Sequence, residues 1–161
     1  MVGFVSHAHN LVIGVQNEYS GIFVHDRRTG KTEMVSIGIR GQSPNDYSAS
    51  PAISADGRYV AFQSRASNLV EDDTNGSGDV FVFDRKMASM VRVSVSGDGR
   101  QSNGLVLRVA ISSDGSTVAF GGGADTLVTN KSTRLAEAFV VGWTPGRGSL
   151  LFLVGGSGGG F

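Results

Sequence analysis

The sequence contains no cysteine and only three prolines, and its basic and acidic side chains are equal in number, 14 of each. Without cysteine, the chain forms neither a disulfide framework nor a thiolate zinc site. A net charge of zero gives no long-range field for nucleic acid, whose binders cluster Lys and Arg, so we expect no nucleic-acid partner. No stretch approaches the roughly 20 apolar residues of a membrane-spanning helix, so we expect no membrane insertion. No Lys or Arg precedes Arg27, and this chain therefore lacks the positive start of a signal peptide.

The amino-acid sequence contains an internal repeat. The segment 23–27, Phe-Val-His-Asp-Arg, returns at 81–85 as Phe-Val-Phe-Asp-Arg, and Ala-Ile-Ser-Ala-Asp-Gly at 52–57 returns at 110–115 as Ala-Ile-Ser-Ser-Asp-Gly. Both offsets are 58 residues, and 19 of the 58 positions in 21–78 are identical in 79–136 without a gap. A fixed period of this kind is the signature of a repeat architecture.

Each repeat unit reads as four short strands. Bursts of β-branched and aromatic residues alternate with clusters of Gly, Asp, Asn and Ser, which is typical of strands and turns. In the central copy we place strand a at 52–54, strand b at 59–64, strand c at 80–84 and strand d at 90–95. Asp56-Gly57 predicts a tight a–b hairpin, because glycine accepts a positive φ. A four-stranded antiparallel meander repeated at a fixed period predicts an all-β fold of β-propeller type.

The repeat also divides the chain. We predict a partial propeller over 1–154, made of a blade remnant at 2–39 and blades at about 52–95 and 110–154, followed by a Gly-rich tail at 155–161. Propellers close their ring with roughly 4 to 8 blades. We therefore expect either a fragment of a longer protein or self-association that completes the ring.

The long links of the repeat predict where function lies. Links b–c, at 65–78, and d–a, at 96–109, are long and polar. Consecutive links of a meander alternate between the two ends of a sheet, so both long links emerge at the same end. Loops of this length in compact folds are commonly functional. We predict that this end is the recognition surface.

Two segments carry a family resemblance. Ser-Pro-Ala-Ile-Ser-Ala-Asp-Gly-Arg-Tyr-Val-Ala-Phe at 50–62, followed by Asp-Val-Phe-Val-Phe-Asp at 79–84, resembles the Pro-Asp type of WD40-like repeat found in TolB-like bacterial propellers. The resemblance spans about residues 1–140. It implies a periplasmic or extracellular bacterial propeller that binds partners. The third copy departs from the motif at Val109, which replaces proline, and at Gly142-Trp143, which replaces the Asp-Arg pair.

The loop from Asp73 to Asp79 resembles a cation-binding loop. Numbered from Asp73, it places oxygen-bearing side chains at positions 1, 3 and 5 and glycine at position 6, a spacing that wraps Ca²⁺. Asp84, at position 12, lies beyond an extended strand, about 16 Å from Asp79 at about 3.3 Å per residue. We predict a weak calcium site formed by Asp73, Asn75, Ser77 and Asp79. The alternative is an Asx-rich loop held by side-chain to backbone hydrogen bonds.

No residues form a plausible catalytic constellation. Gly-Gly-Ser-Gly-Gly at 155–159 matches the Gly-x-Ser-x-Gly nucleophile elbow, but an elbow opens a helix and is followed by an acid and a histidine, which this chain lacks after residue 159. His7 and His9 would share one side of a strand, with no third metal ligand aimed at them. We expect no enzymatic activity. The leading hypothesis is a non-catalytic module that binds a protein or carbohydrate, and the alternatives are a propeller domain of a larger enzyme, such as a serine peptidase, or a structural piece of a surface protein.

Overall fold

The computed structural model describes residues 1–15, 18–127, 137–143 and 149–154, and the Gly-rich segment 155–161 lies outside them. The described strands form three antiparallel sheets. The strands are β1 (Val2–Ser6), β2 (Gly21–His25), β3 (Thr32–Met34), β4 (Ser48–Ile53), β5 (Tyr59–Ser64), β6 (Asp79–Asp84), β7 (Ser89–Arg92), β8 (Val106–Ile111), β9 (Thr117–Gly122), β10 (Glu137–Trp143) and β11 (Ser149–Val154). Two short 3-10 turns are described, at Ile39–Gly41 and Asp125–Leu127.

The sheet topology is the predicted meander. Strands β4-β5-β6-β7 and β8-β9-β10-β11 each form one four-stranded sheet in sequence order, and β1-β2-β3 forms a three-stranded sheet equivalent to strands b, c and d. All pairings are antiparallel. The predicted fold class, an all-β propeller-type architecture with an incomplete ring, is confirmed.

The 58-residue period is repeated in the packing of the sheets. Strand b and strand c each contribute one phenylalanine at directly paired positions, and the two rings stack in every sheet. The pairs are Phe4–Phe23, Phe62–Phe81 and Phe120–Phe139, with ring centroids 5.7, 5.9 and 5.2 Å apart. Because these aromatic pairs recur at the same register, each repeat unit is one sheet that carries the same stacked pair on one of its faces.

The main apolar cores lie between neighbouring sheets. One core joins residues of the first and second sheets, such as Val24 and Phe62, and the other joins the second and third sheets, through residues such as Val82 and Phe139. Burial of this surface drives the packing of one blade on the next. At the outer side of the first sheet, Val2 is 44% exposed, whereas its repeat equivalent Val60 is fully buried.

The strands of the second sheet differ slightly from the sequence prediction. Strand β4 begins at Ser48 rather than at residue 52, because a bulge between Ala49 and Ala52, with Ser50 at a φ of 54°, lets the strand continue toward its N-terminus. A bulge of this kind leaves no clear trace in the hydrophobic pattern. Strand β7 ends at Arg92, three residues earlier than predicted.

The Asp-Gly pairs form the predicted a–b hairpins. Gly57 and Gly115 have φ values of 74° and 76°. In the first hairpin, the Ser54 hydroxyl donates to Asp56 at 2.6 Å and the amide of Arg58 donates to the same carboxylate at 3.0 Å. The side chains of Ser and Asp therefore close the turn, and glycine supplies the left-handed backbone.

Candidate functional site

The long links meet at one end of the sheets, as the alternation of the meander predicts. The link before β4 is bound to the link after β5 through Asn68, whose carbonyl accepts from the amide of Ile39 at 2.8 Å. The Asn68 side chain donates to the carbonyl of Ser43 at 2.8 Å, and Asn45 Nδ2 donates to the Ser67 hydroxyl at 2.9 Å. These hydrogen bonds hold loops from two neighbouring blades as one surface.

A cleft of about 290 Å³ opens on this surface between the second and third sheets. Both kinds of long link contribute to it, together with the ends of β4, β5 and β8. Its lining residues are Tyr47, Ala49, Gln63, Ser64, Arg65, Gly76, Ser77, Gly78, Asn103, Gly104, Leu105 and Val106. Its size places it at the small end of ligand pockets, which suits one side chain or one sugar ring.

Backbone contacts fix the two walls of the cleft. On one side, the Tyr47 carbonyl accepts from the amide of Arg65 at 2.9 Å and from the Ser64 hydroxyl at 3.2 Å. On the other side, Gly104 packs so closely on Gly123 that a Cβ at Gly104 would lie 1.7 Å from the Gly123 carbonyl oxygen. Only glycine at position 104 permits this approach.

The cleft combines an aromatic ring, a cation and a polar amide. Tyr47 is 53% exposed, and Arg65 is exposed. No hydrogen bond or ion pair to the Arg65 guanidinium is present among the described residues. The Oε1 atom of Gln63 is buried without a hydrogen-bond partner in the described part of the chain. Exposed tyrosine and arginine are residues that binding interfaces favour.

An aromatic cluster adjoins the cleft on the first-sheet side. The ring of Tyr47 contacts the ring of Tyr19 edge to face, with centroids 5.1 Å apart, and lies 6.2 Å from the ring of His7. Tyr47 is therefore a wall shared by the cluster and the cleft. His7, weighed from the sequence as a metal ligand, contacts this aromatic ring.

The four predicted calcium ligands share one loop, beside an arginine that the sequence reasoning missed. Arg92 Nη1 lies 3.2 Å from Asp73 Oδ1 and 3.8 Å from Asp79 Oδ2. Asn75 donates its Nδ2 to Asp79 Oδ2 at 2.8 Å, so it offers this carboxylate a donor. Ser77 donates its backbone amide to Asn75 Oδ1 at 3.2 Å. A cation thus already neutralises the two carboxylates on which the calcium prediction depends.

Burial controls the ionisation of these carboxylates. Asp79 is fully buried, and this burial raises its pKa to about 6 against the hydrogen bonds from Ser94 and Asn75 and the charge of Arg92. The pKa of Asp73 is also raised by burial, and Arg92 opposes this shift. The buried group is therefore a carboxyl that protonates more easily than an ordinary aspartate.

Hydrogen bonds from the next link hold the same loop. The side chain of Gln101 accepts the amides of Thr74 and Asn75 at 3.1 and 3.0 Å and donates to the Asp72 carbonyl at 2.5 Å. Within the described ranges, no group of three or more His, Cys, Asp or Glu side chains is placed to hold a metal ion. The calcium site stays a prediction. Arg92 lies on a strand and Gln101 in a link. Neither residue belongs to a sequence pattern that predicts these contacts.

Comparison with known proteins finds similarity among solved structures. No family model and no curated protein matches the sequence. The chain is similar to a solved structure from Agrobacterium tumefaciens, a protein provisionally named TolB, at 16% sequence identity and a TM-score of 0.45. This similarity covers 83% of the present chain and 41% of that chain, so the present chain spans less than half of its length.

The topology and repeated contacts define the class of the protein. Three antiparallel meanders, packed face to face with the same stacked phenylalanine pair in each, form an all-β domain of propeller type. Over the described residues, no helix is long and apolar enough to cross a membrane.

Proposed function

We propose that this propeller domain is a non-catalytic binding module whose recognition surface is the end formed by the long b–c and d–a links. The observation that carries the proposal is the cleft between the second and third sheets, because Ser77 from one link and Leu105 from the other both line it. An exposed tyrosine and an exposed arginine, Tyr47 and Arg65, supply the side chains that partners commonly contact.

The opposite end of the sheets has a larger and more open cleft, of about 460 Å³, lined mainly by charged residues such as Asp56, Arg58 and Lys86. Its a–b and c–d hairpins are short and are closed by their own hydrogen bonds, such as those that Lys86 and Met87 donate from their amides to Asp84 at 2.9 and 3.2 Å. The end with the long links therefore offers a partner the more enclosed cleft, whose lining combines an aromatic ring and apolar side chains with a cation. The proposal includes no chemical step, and the repeat resemblance supports a periplasmic or extracellular setting for the partner.

A paired screen tests this function. Purified protein is applied to a glycan array and to a phage-displayed random peptide library, and the ligands enriched by the unaltered chain are then measured with variants. Tyr47→Ala and Arg65→Ala alter the proposed surface, and Lys86→Ala and Met87→Ala are matched controls, exposed at the opposite end.

We expect enriched ligands to lose at least about tenfold in affinity with the first pair, about 1.4 kcal/mol, and to be unaffected by the controls. Loss with the control pair alone contradicts the proposal. Failure of both libraries to yield any ligand also contradicts it.

A further inference from the structure

The 58-residue repeat places two equivalent junctions side by side on the recognition surface. Each junction lies between two neighbouring sheets. Between the second and third sheets, three of the cleft residues are Arg65, Ser77 and Leu105. Subtraction of 58 gives their equivalents between the first and second sheets, which are His7, Tyr19 and Tyr47. The backbone is also equivalent, because the amide of Arg65 donates to the Tyr47 carbonyl at 2.9 Å and that of Gly123 donates to the Leu105 carbonyl at 3.2 Å.

The first junction contains an aromatic cluster. The ring of Tyr19 packs edge to face on Tyr47, 5.1 Å between centroids at 80°, and the centroid of the His7 ring lies 6.2 Å from that of Tyr47. The residue equivalent to Tyr19 in the second junction is Ser77, which has no ring. Leu105, equivalent to Tyr47, is 66% exposed. The second junction is therefore open where the first contains a tyrosine ring.

We propose that the cleft between the second and third sheets binds the phenol ring of a tyrosine side chain presented by a partner polypeptide. The ring lies over Ser77 and Gly78, the position that corresponds to Tyr19, and contacts Leu105. This inference rests on the proposed function and names the chemical group that the recognition surface takes.

The side chains around the cleft suit a phenol better than a purely apolar group. The guanidinium of Arg65, a residue exposed beside the cleft, can lie over the face of an aromatic ring, an attraction that an aliphatic side chain does not have. The buried Oε1 of Gln63 has no hydrogen-bond partner among the described residues, and the amide can turn toward the cleft to accept a hydrogen bond from the phenolic hydroxyl. Tyr47 adds a second ring for edge-to-face contact. In the first junction the equivalent of Gln63 is Val5, so the polar acceptor belongs to the open cleft.

Titration with small probes tests this site directly. Backbone amide shifts of ¹⁵N-labelled protein are followed with N-acetyl-tyrosinamide, with N-acetyl-leucinamide as an aliphatic probe and with glucose as a sugar probe. We expect the tyrosine probe alone to shift the amides of Ser77, Gly78 and Leu105, with a dissociation constant of about 1–10 mM for so small a ligand.

Two tyrosine substitutions provide the decisive comparison. Ser77→Tyr places in the cleft the ring that the first junction already contains, and we expect it to weaken the probe at least about tenfold. Met87→Tyr, the matched control, places the same ring at an exposed position of the opposite end and keeps binding within about twofold. Tyr19 shows that the repeat accommodates tyrosine at the position of Ser77, and an unchanged melting temperature verifies that each variant folds.

Three results overturn the inference. These are equal shifts with the aliphatic probe, equal shifts with glucose, and undiminished binding of the tyrosine probe by Ser77→Tyr. If library ligands depend on Tyr47 and Arg65 while the tyrosine probe shifts no cleft amide, the binding module stands and the phenol site is refuted. If those ligands depend instead on the opposite end of the sheets, the proposed function itself is refuted.

Discussion

Tyr59 and Trp143 meet edge to face across the boundary between the second and third sheets, with ring centroids 5.1 Å apart and planes at 89°. Trp143 is held there by a hydrogen bond from its Nε1 to the carbonyl oxygen of Gly115, at 2.6 Å. Gly115 belongs to the a–b hairpin of the third sheet and has a φ of 76°. One hairpin glycine therefore sets both the turn and the contact between two blades.

Replacement of this glycine should loosen that boundary. A Cβ at Gly115 would lie 2.2 Å from Cδ2 of Tyr59, in addition to the cost of a left-handed backbone for alanine. We expect Gly115→Ala to lower the free energy of unfolding by about 2–4 kcal/mol, as measured by urea denaturation. Gly99→Ala is the control, because Gly99 has a φ of 85° and no heavy atom within 4 Å of an added Cβ. An equal loss for both variants would show that the turn alone matters.

The repeated Asp at the end of strand c also carries a testable ion pair. Arg58 donates to both carboxylate oxygens of Asp84, at 3.0 and 2.7 Å, and the Asp84 side chain is only 3% exposed. We expect Arg58→Ala to cost about 1–3 kcal/mol of unfolding free energy, since it leaves a buried carboxylate less well paired. Arg100→Ala removes a pair with Asp98 that is 47% and 63% exposed, and should change stability by less than about 0.5 kcal/mol. Thermal and urea unfolding of both variants measure the difference, and indistinguishable losses would contradict the account.

The buried Asp79 should make stability fall as the pH rises. Its pKa in the folded state is about 6, above the ordinary value of 3.8, so the folded state holds a proton that the unfolded state has released. The stabilising contribution is complete below pH 3.8 and is lost as the pH passes 6, amounting to roughly 2–3 kcal/mol at most. We expect Asp79→Asn, which keeps an acceptor for Ser94, to flatten the stability curve between pH 4 and 7. Urea unfolding across this range tests it, and parallel curves for the two proteins would contradict the assignment.

Much of the fold was predictable because the same pattern of strands and turns occurs in three copies along the sequence. The Asp-Gly hairpins at 56–57 and 114–115 and the bounds of β5 follow from local turn chemistry and hydrophobic pattern. The early start of β4 was not predictable, since its bulge has no sequence signature. Arg92 was missed beside the calcium-like loop for another reason. Its pairing with Asp73 brings residues 19 positions apart into contact, and only the meander puts them there.

The contacts of Arg92 allow a specific prediction of how strongly the loop binds calcium. Calcium must compete with the Arg92 guanidinium for Asp73 and Asp79, so we expect weak binding, with a dissociation constant of about 10⁻⁴ to 10⁻³ M. Titration calorimetry with calcium chloride, and melting in millimolar calcium against a chelator, measure it. Asn75→Ala removes one predicted ligand and should abolish the calcium effect. Absence of binding heat together with an unchanged melting temperature would leave the loop as a hydrogen-bonded turn.

The central structural claim is that the three meanders are blades of an open propeller. Propellers close with roughly 4 to 8 blades, so the 161-residue chain leaves blade faces without a neighbour. Val2 is 44% exposed on the first sheet, whereas Val60 and Val118, its repeat equivalents, are fully buried. Such surface favours association.

Light scattering on the purified 161-residue chain, combined with binding of a dye that reports exposed apolar surface, tests this claim most directly. The account predicts dimers or trimers at high micromolar concentration, and dye binding that decreases as the chains associate. A sharply melting monomer at that concentration, with no dye binding, would show that three blades are self-sufficient and would contradict the open propeller.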